Sequence, residues 1–466
     1  MANPSIAAIF LTAGDLSRTV PVTFVTAATW AGLRARLDAR SAAFAEAAGF
    51  EPRAGRHLLL PGPDGAIAGV LFGLEGADDP GKDLLRPGAL PALLPAGAYR
   101  FANAPHDARL AALAFALGSY RFARYRKADN KEARLEVPSG VDAAELARVA
   151  EAVFLARDLI NTPANDMGPP ELEAAGRTLA ERHGAKVHAI VGDDLLAENF
   201  PLVHAVGRAA ARAPRLIDIV WGEAAHPKVT LIGKGVCFDT GGLDIKSESG
   251  MLNMKKDMGG AATVLALAHM LMDRRAKLRL RVLIPIVENA IAGAAFRPRD
   301  IYRSRKGITV EIGNTDAEGR LILADALALA DEEAPELIVD MATLTGAARV
   351  ALGTEVVPFY TDDEALAAEL IRWGENESDP LWRLPLWRPY DQMLDSKVAD
   401  INNIAAGGFA GSIIAALFLR RFVSAAKAWL QCDIYAWNQA NRPGRPEGGE
   451  CQVARALDRL LMARYG

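Results

Sequence analysis

Apolar and polar positions follow two different periods in the second half of the chain. Short, nearly continuous apolar runs predict strands at 186–191, 216–221, 229–232, 278–287, 337–341 and 429–435. Apolar residues at helical spacing predict helices at 171–183, 259–272, 321–332 and 412–423. Strands without polar alternation are typical of sheets that are buried on both faces. The pattern therefore predicts an α/β fold with a mixed, mostly parallel sheet covered by helices.

The first 140 residues mix shorter strands and helices and contain no cluster of chemically reactive groups. Strands are predicted at 7–11, 20–25, 57–60 and 67–74, and helices at 30–48 and 107–120. A turn at Ser139-Gly140 is followed by helical spacing from 142 to 161. We therefore predict a small N-terminal α/β domain at 1–140 with a structural or assembly role. A larger domain at 141–466 would begin with a linker helix at about 142–161.

Composition excludes several classes of protein. The 466 residues are 51% hydrophobic and 24% charged, which is typical of a globular protein. The net charge of −4 does not favour nucleic acid or an anionic membrane as partner. No apolar run approaches the roughly 20 residues that span a bilayer, and the N-terminus lacks the pattern of a signal peptide. Three widely spaced cysteines favour a reducing compartment, so we expect a cytoplasmic protein.

The segment from Asn314 to Leu321 carries the first candidate chemistry, because it reads Asn-Thr-Asp-Ala-Glu-Gly-Arg-Leu. Asp316, Glu318 and Arg320 alternate with small residues. If the segment is extended, this spacing points two carboxylates and a guanidinium in the same direction. The helical pattern begins at Leu321, so the triplet would lie where an extended segment meets a helix, a frequent place for active sites in α/β proteins.

A second polar constellation follows the predicted strand at 229–232. It contains Lys234, Asp239, Lys246 and Asp257, each near a glycine or a turn. With Asp316 and Glu318, four carboxylates would converge, and their repulsion would raise their pKa values unless cations neutralise them. Oxygen-rich sites suit Mg²⁺ and Mn²⁺, and Zn²⁺ also accepts carboxylates. A pair of such ions can lower the pKa of a shared water, which produces a hydroxide nucleophile at neutral pH.

Other catalytic patterns are absent from the sequence. None of the seven histidines forms HExxH, which excludes the zincin metalloprotease pattern. The turn at Gly233-Lys234-Gly235 lacks the spacing of a Walker A loop, and no GxGxxG opens a helix after a strand. No GxSxG occurs, and Cys237 has no evident base partner.

The order and spacing of these residues resemble the leucyl aminopeptidase (cytosol aminopeptidase) family. The resemblance rests on Lys234, Asp239, Lys246, Asp257 and the segment from Asn314 to Leu321. Asn161-Thr-Pro-Ala-Asn165, Asp257-Met-Gly-Gly260 and Ala342-Thr-Leu-Thr-Gly346 extend it, so that it covers about residues 150 to 440. It implies a two-domain α/β peptidase, usually assembled as a hexamer of two stacked trimers.

The resemblance also implies a role for each site residue. One tightly held metal would take Lys234, Asp239, Asp257 and Glu318, with the lysine bound as a neutral amine. A more exchangeable metal would take Asp239, Asp316 and Glu318. Lys246 would polarise the scissile carbonyl, and Arg320 would hold a bicarbonate that acts as general base. The pocket for the first residue of the substrate would be lined by Met254, Thr343, Leu344 and Gly346.

The resemblance therefore predicts a metal-dependent aminopeptidase that needs a free N-terminus on its peptide substrate, with leucine-like first residues preferred. Two divalent ions, Mn²⁺ or Zn²⁺ and also Mg²⁺, are the expected cofactors, with bicarbonate. Ser247, Gln431 and Cys432 depart from residues that are common in the family, which leaves specificity open. The alternatives are a dipeptide specialist such as a cysteinylglycine dipeptidase, a DNA-binding or regulatory protein, and a catalytically dead scaffold.

Overall fold

The computed structural model describes residues 6–11, 19–126 and 132–466. The chain folds as two compact units, and the boundary between them falls within the helix Ala143–Asn161. The first unit is Met1–Phe154 with Gln439–Glu447, and the second is Leu155–Asn438 with Gly448–Gly466. Within the described residues, no helix combines the length and the hydropathy needed to cross a membrane.

The first unit contains a five-stranded sheet. Its strands are β1 (Val20–Val25), β2 (His57–Pro61), β3 (Ile67–Gly73), β4 (Gly97–Phe101) and β5 (Ala133–Leu135). Its helices are α1 (Ile6–Ile9), α2 (Ala27–Arg34), α3 (Ala39–Ala47), α4 (Leu90–Leu93) and α5 (Ala108–Gly118). The strand order is β2-β3-β1-β4-β5, and only β2 is antiparallel to its neighbour. This unit is the small α/β domain that the pattern predicted.

Two predictions for this unit are wrong. The segment predicted as a strand at 7–11 overlaps α1, and Phe10 forms an isolated bridge with Leu135. The single helix predicted at 30–48 is two helices, α2 and α3. The break lies at Asp38, whose side chain accepts hydrogen bonds from the backbone of Arg40 and Ser41 and so starts a new helix.

The second unit is larger and alternates strands with helices. Its helices are α6 (Ala143–Asn161, shared with the first unit), α7 (Pro169–His183), α8 (Asp194–Ala197), α9 (Pro201–Gly207), α10 (Glu248–Met251), α11 (Gly259–Asp273), α12 (Glu318–Asp331), α13 (Gly346–Leu352), α14 (Glu364–Asn376), α15 (Gly411–Arg420) and α16 (Ala454–Tyr465). Its strands are β6 (Lys186–Val191), β7 (Arg215–Trp221), β8 (Lys228–Gly233), β9 (Gly235–Asp239), β10 (Arg279–Asn289), β11 (Ile301–Arg303), β12 (Thr309–Glu311), β13 (Leu337–Ala342), β14 (Val357–Tyr360), β15 (Leu381–Arg383), β16 (Ile401–Asn402), β17 (Trp429–Asp433), β18 (Trp437–Asn438) and β19 (Gly448–Gly449).

The main sheet of this unit is mixed and mostly parallel, as predicted. Its strand order is β15-β14-β17-β13-β8-β10-β7-β6, with β9 paired to β10. The central strands β17, β13, β8 and β10 are parallel, whereas β7 is antiparallel to both of its neighbours. The carboxyl ends of the parallel strands therefore open at one edge of the sheet, where α/β proteins bind their ligands.

Two helices anchor that edge. Helix α11 is buried from Gly259 to Met272, and a Cβ atom placed on Gly260 would lie 2.1 Å from the carbonyl oxygen of Met341 in β13. Glycine therefore lets the start of this helix touch the sheet backbone. Helix α12 buries Leu321 and Ile322 and most of its later residues, and each fully buried side chain of this kind contributes about 1.5–3 kcal/mol. Both helices thus present their first turns at fixed positions beside the strand ends.

Candidate metal centre and active site

Lys234 follows the last residue of β8 and lies at the centre of the polar cluster. Its Nζ is 2.7 Å from Asp257 Oδ2 and 2.9 Å from Glu318 Oε1. It also donates a hydrogen bond to the carbonyl oxygen of Thr343, just beyond β13, at 2.9 Å. The two parallel strands thus deliver a lysine and its acceptor to the same point, where the lysine meets two carboxylates.

Asp239 ends β9 and faces a second lysine. Its Oδ2 is 2.8 Å from Lys246 Nζ, which also forms an ion pair with Asp316. Its Oδ1 accepts hydrogen bonds from the backbone of Gly241 and from the side chain of Asn289, both at 2.9 Å. These two bonds hold the carboxylate in one orientation, with Oδ2 directed toward the cluster.

The prediction of one extended segment with three aligned side chains is wrong. Thr315 and Asp316 lie in a turn, and α12 begins at Glu318. Positions two apart on a helix are separated by about 200° around its axis, so Glu318 and Arg320 point to different sides. Glu318 contacts Lys234, whereas Arg320 Nη1 donates to the carbonyl oxygen of Asn403 at 2.6 Å.

Three carboxylates form a group that a cation fits. Ligand oxygens of Asp239, Asp316 and Glu318 lie within 4.8 Å of one another. Burial, then the charge of Asp239, raises the pKa of Glu318 to about 7. Burial, then the charge of Asp257, raises the pKa of Asp239 to about 6. Glu318 Oε1 contacts Lys234 Nζ, whereas Oε2 is buried and accepts no hydrogen bond from any described residue, so this residue set suits a divalent metal, which supplies further positive charge.

Both lysines are held in the charged form when carboxylates alone surround them. Burial by itself lowers the pKa of Lys234, but Asp257, Glu318 and Asp239 together outweigh that effect and raise the pKa above its usual value. The pKa of Lys246 is raised in the same way, with Asp239 as the largest opposing charge. A neutral Lys234 amine therefore requires cations that neutralise these carboxylates, and metal binding would release its proton.

The cluster lines a cavity of about 320 Å³. Its walls bring together ten of the eleven predicted site residues, namely Lys234, Asp239, Lys246, Met254, Asp257, Asp316, Glu318, Thr343, Leu344 and Gly346. Arg320 is not among the lining residues: only 7% of its surface is exposed, and its buried Nε forms no hydrogen bond with any described residue. Burial lowers its pKa to about 10.

Seven further lining residues were not predicted as site residues, and three of them, Lys256, Arg349 and Tyr435, form one group. Lys256 is 2% exposed, and its Nζ lies 4.4 Å from the ring centroid of Tyr435. Arg349 approaches the same ring at 5.2 Å. Burial lowers the pKa of Lys256 to about 8. The only sequence feature that could have pointed to Lys256 is its place in the doublet Lys255-Lys256, directly before the candidate metal ligand Asp257.

Sequence reasoning also missed the residues that support the cluster. Asn289, the last residue of β10, donates to Asp239 and to the backbone oxygen of Thr315 at 3.1 Å. Asp244 accepts a hydrogen bond from the backbone of Thr315 at 2.8 Å. The side chain of Asn403 accepts from the backbone of Gly313 at 2.7 Å. In the sequence, only the position of Asn289 at the end of a buried strand could have indicated such a supporting role. The contacts themselves join distant parts of the chain, so no local pattern contains them.

Comparison with known proteins gives the family. Residues 154–457 match the model described as the cytosol aminopeptidase family, catalytic domain, and residues 20–138 match the M17 aminopeptidase N-terminal domain. The chain belongs to the cytosol aminopeptidase (M17) family. It is therefore a hydrolase, a metal-dependent exopeptidase with an α/β catalytic domain, as the resemblance implied.

Individual relatives agree with this assignment. A probable cytosol aminopeptidase of Rhizobium meliloti (strain 1021) is 41% identical over 378 residues, which is 76% of each chain. One from Methylorubrum extorquens is 37% identical over 443 residues, 89% of this chain and 88% of the relative.

Solved structures extend the similarity to the fold. The crystal structure of the cytosol aminopeptidase from Coxiella burnetii has a TM-score of 0.92 at 45% identity and covers 97% of this chain and 98% of its own. The bottromycin maturation enzyme BotP in complex with Mn has a TM-score of 0.86 at 34% identity, covering 96% and 99%.

Proposed function

We propose that this aminopeptidase releases leucine-like residues from the free N-terminus of peptides, and that two divalent cations bind in the carboxylate cluster. The observation that carries the proposal is the group of Asp239, Asp316 and Glu318, whose pKa values are all raised and whose Glu318 Oε2 accepts no hydrogen bond from any described residue, so the group calls for further positive charge. Lys234 and Lys246 pair with these carboxylates, but the pKa values of all three carboxylates are still raised.

Two overlapping ligand sets are available. Lys234, Asp239, Asp257 and Glu318 would hold the tighter metal. Asp239, Asp316 and Glu318 would hold the more exchangeable one, which would also take the α-amine of the substrate. Bound there, the cations would lower the pKa of a water and polarise the carbonyl of the first residue. Asn289 and the backbone of Gly241 keep Asp239 oriented for both sets.

The reaction itself exchanges one bond for another. The oxygen of water joins the carbonyl carbon of the first residue, the C–N bond breaks, and the leaving amine takes a proton. We assign the Lys246 ammonium to the developing negative charge on the carbonyl oxygen, because it lines the cavity beside Asp239 and Asp316.

We assign Arg320 to a bicarbonate ion that serves as general base. The support is its buried Nε, which donates to no described residue and is therefore available to an anion. Met254, Thr343, Leu344 and Gly346 lie in the wall of the same cavity, and we propose that they receive the first side chain.

The metals are proposed as Mn²⁺ or Zn²⁺, with Mg²⁺ as a third candidate, on the chemistry of the ligand set. We further propose a homo-hexamer in the cytoplasm, in which residues 1–140 have a structural or assembly role. The family resemblance is the support for the hexamer, and three free, buried cysteines together with the word cytosol in the names of the relatives support the location. Light scattering coupled to gel filtration measures the assembly.

The deciding experiment is hydrolysis of aminoacyl-anilides by metal-stripped protein, before and after addition of Mn²⁺, Zn²⁺ or Mg²⁺. Metal-restored cleavage of leucine anilide, with N-acetyl-leucine anilide left intact, is the expected result. Glu318→Ala and Asp239→Ala should fold and lose the activity. If folded protein cleaves nothing with any metal, the proposal fails and binding of duplex DNA at low salt becomes the next measurement.

A further inference from the structure

Lys256 is a buried cation that the reaction described above does not use. It lies in the 3₁₀ helix Met254–Met258, is 2% exposed and lines the active-site cavity. Among the described residues, no hydrogen bond or ion pair reaches its Nζ. Its Nζ lies over the face of the Tyr435 ring, 4.4 Å from the ring centroid.

A buried ammonium normally has a carboxylate partner, because the loss of hydration is large. The two carboxylates whose charge acts on Lys256, Asp257 and Asp433, already have other partners. Asp257 contacts Lys234 and accepts a hydrogen bond from Thr343 Oγ1 at 2.7 Å. Asp433 accepts from the backbone of Leu344 and from the Thr345 side chain. The cation–π contact with Tyr435 compensates only part of the lost hydration.

A second cation reaches the same part of the cavity. The Arg349 guanidinium lies 5.2 Å from the Tyr435 ring, and in the described chain it has no carboxylate partner. Gly346, which we assigned to the pocket for the first residue, lies beside it, since a Cβ there would be 3.3 Å from Arg349 Nη2. The wall next to that pocket therefore combines two unpaired positive charges with one aromatic ring.

We propose that Lys256, assisted by Arg349, binds a carboxylate of the substrate and thereby extends the specificity of the enzyme to acidic peptides. This inference rests on the proposed aminopeptidase function and deepens it. The carboxylate has two sources: the side chain of an N-terminal glutamate or aspartate, or the C-terminus of a dipeptide. Either one would give the ammonium the partner that the chain itself does not supply.

The test compares matched substrates at pH 7 with the Mn²⁺-loaded enzyme. Glutamate p-nitroanilide and glutamine p-nitroanilide differ only in the charge of the first side chain. The dipeptide Leu-Gly and its C-terminal amide differ only in the charge of the C-terminus. We expect kcat/KM to favour the charged member of at least one pair by about tenfold to a hundredfold, as for other hydrogen bonds to charged groups.

The variants Lys256→Met and Lys256→Arg show whether this preference comes from the ammonium. Lys256→Met should reduce the preference to near one and leave cleavage of leucine p-nitroanilide within a few-fold of the original, whereas Lys256→Arg should retain much of it. The matched control is Lys255→Met, because Lys255 precedes it, does not line the cavity and donates instead to the carbonyl oxygen of Asn161 at 2.7 Å. That variant should keep the original preference.

Each outcome is decisive. A preference only for glutamate over glutamine identifies the first side chain as the source of the carboxylate, and a preference only for Leu-Gly over its amide identifies the C-terminus. If leucine anilide is cleaved but neither charged member is favoured, or if Lys256→Met leaves the preference intact, the inference is overturned while the proposed function stands. If folded, metal-loaded protein cleaves no substrate, the proposed function fails and this inference with it.

Discussion

Gly319→Ala perturbs the candidate metal centre through a single methyl group. Gly319 lies in the first turn of α12, and a Cβ atom there would be 2.5 Å from Lys234 Cε and 2.8 Å from Nζ. Real atoms do not approach so closely, so either the helix or the lysine must move. Buried residues such as Leu321 and Ile322 hold the helix in place, so we expect the end of the Lys234 side chain to move instead of the helix.

The size of the effect follows from these contacts. Replacing glycine by alanine inside a helix stabilises a protein by about 0.5–1 kcal/mol. The added methyl introduces strain of about 1–3 kcal/mol, so the free energy of unfolding should fall by no more than about 2.5 kcal/mol. The displaced amine leaves Asp257, Glu318 and the Thr343 carbonyl, and the affinity for Mn²⁺ should fall by at least about 10- to 100-fold.

Three measurements check this prediction: calorimetric melting, isothermal titration with Mn²⁺, and hydrolysis of leucine p-nitroanilide. The variant should melt cooperatively, bind metal weakly and show a matching loss of activity at limiting metal. Gly293→Ala is the control, because nothing lies within 4 Å of a Cβ placed at that exposed turn. Undiminished metal affinity in Gly319→Ala would refute the assignment of Lys234 as a metal ligand.

Three further predictions concern charge. Glu318→Gln should reduce kcat of leucine anilide hydrolysis by at least about a thousandfold while the melting temperature stays similar, and near-normal kcat would contradict its role as a ligand. Protons compete with metal at Asp239 and Glu318, whose pKa values are raised to about 6 and about 7. The Mn²⁺ affinity measured by titration calorimetry should therefore fall as pH decreases from about 8 to about 5. Arg157→Met should destabilise the fold by about 3–5 kcal/mol in urea at pH 7, because it leaves the Glu450 carboxylate buried without its ion pair at 3.1 Å. Burial raises the pKa of Glu450, but Arg157, Asn438 and Arg455 together lower it below its usual value in the folded protein, and the variant loses the contribution of Arg157. The deficit should shrink as pH falls below the ordinary value of about 4.3, and a deficit independent of pH would contradict this account.

Sequence patterns located most of the elements of the catalytic unit. The predicted strands at 216–221 and 337–341 correspond to β7 and β13, and the helices predicted at 259–272 and 321–332 to α11 and α12. These predictions succeeded because a buried strand or helix has few polar positions, which makes the apolar run of the strand or the apolar spacing of the helix easy to recognise. Helix α14 and the C-terminal helix α16 were not predicted.

The side-chain directions at the site were harder to predict. The alternation of Asp316, Glu318 and Arg320 suggested an extended segment, but the helix starts at Glu318 and turns Arg320 toward Asn403. A spacing of two residues is compatible with several backbone conformations, and only the packing of α12 selects among them. Lys256 was likewise not predicted as a site residue. What distinguishes it is that no described carboxylate pairs with it in the folded chain, and the sequence does not show pairing.

The sequence by itself determined the family, the α/β class and the residue types that can bind metal, because these depend on local period and on the order of charged residues along the chain. The tertiary structure decided which groups share one cavity, since Lys234, Asp257 and Glu318 come from three separate segments. It also decided how deeply they are buried, and burial is what raises the pKa values of Asp239 and Glu318. Contacts between distant segments and the loss of hydration are properties of the folded chain, and no local pattern contains them.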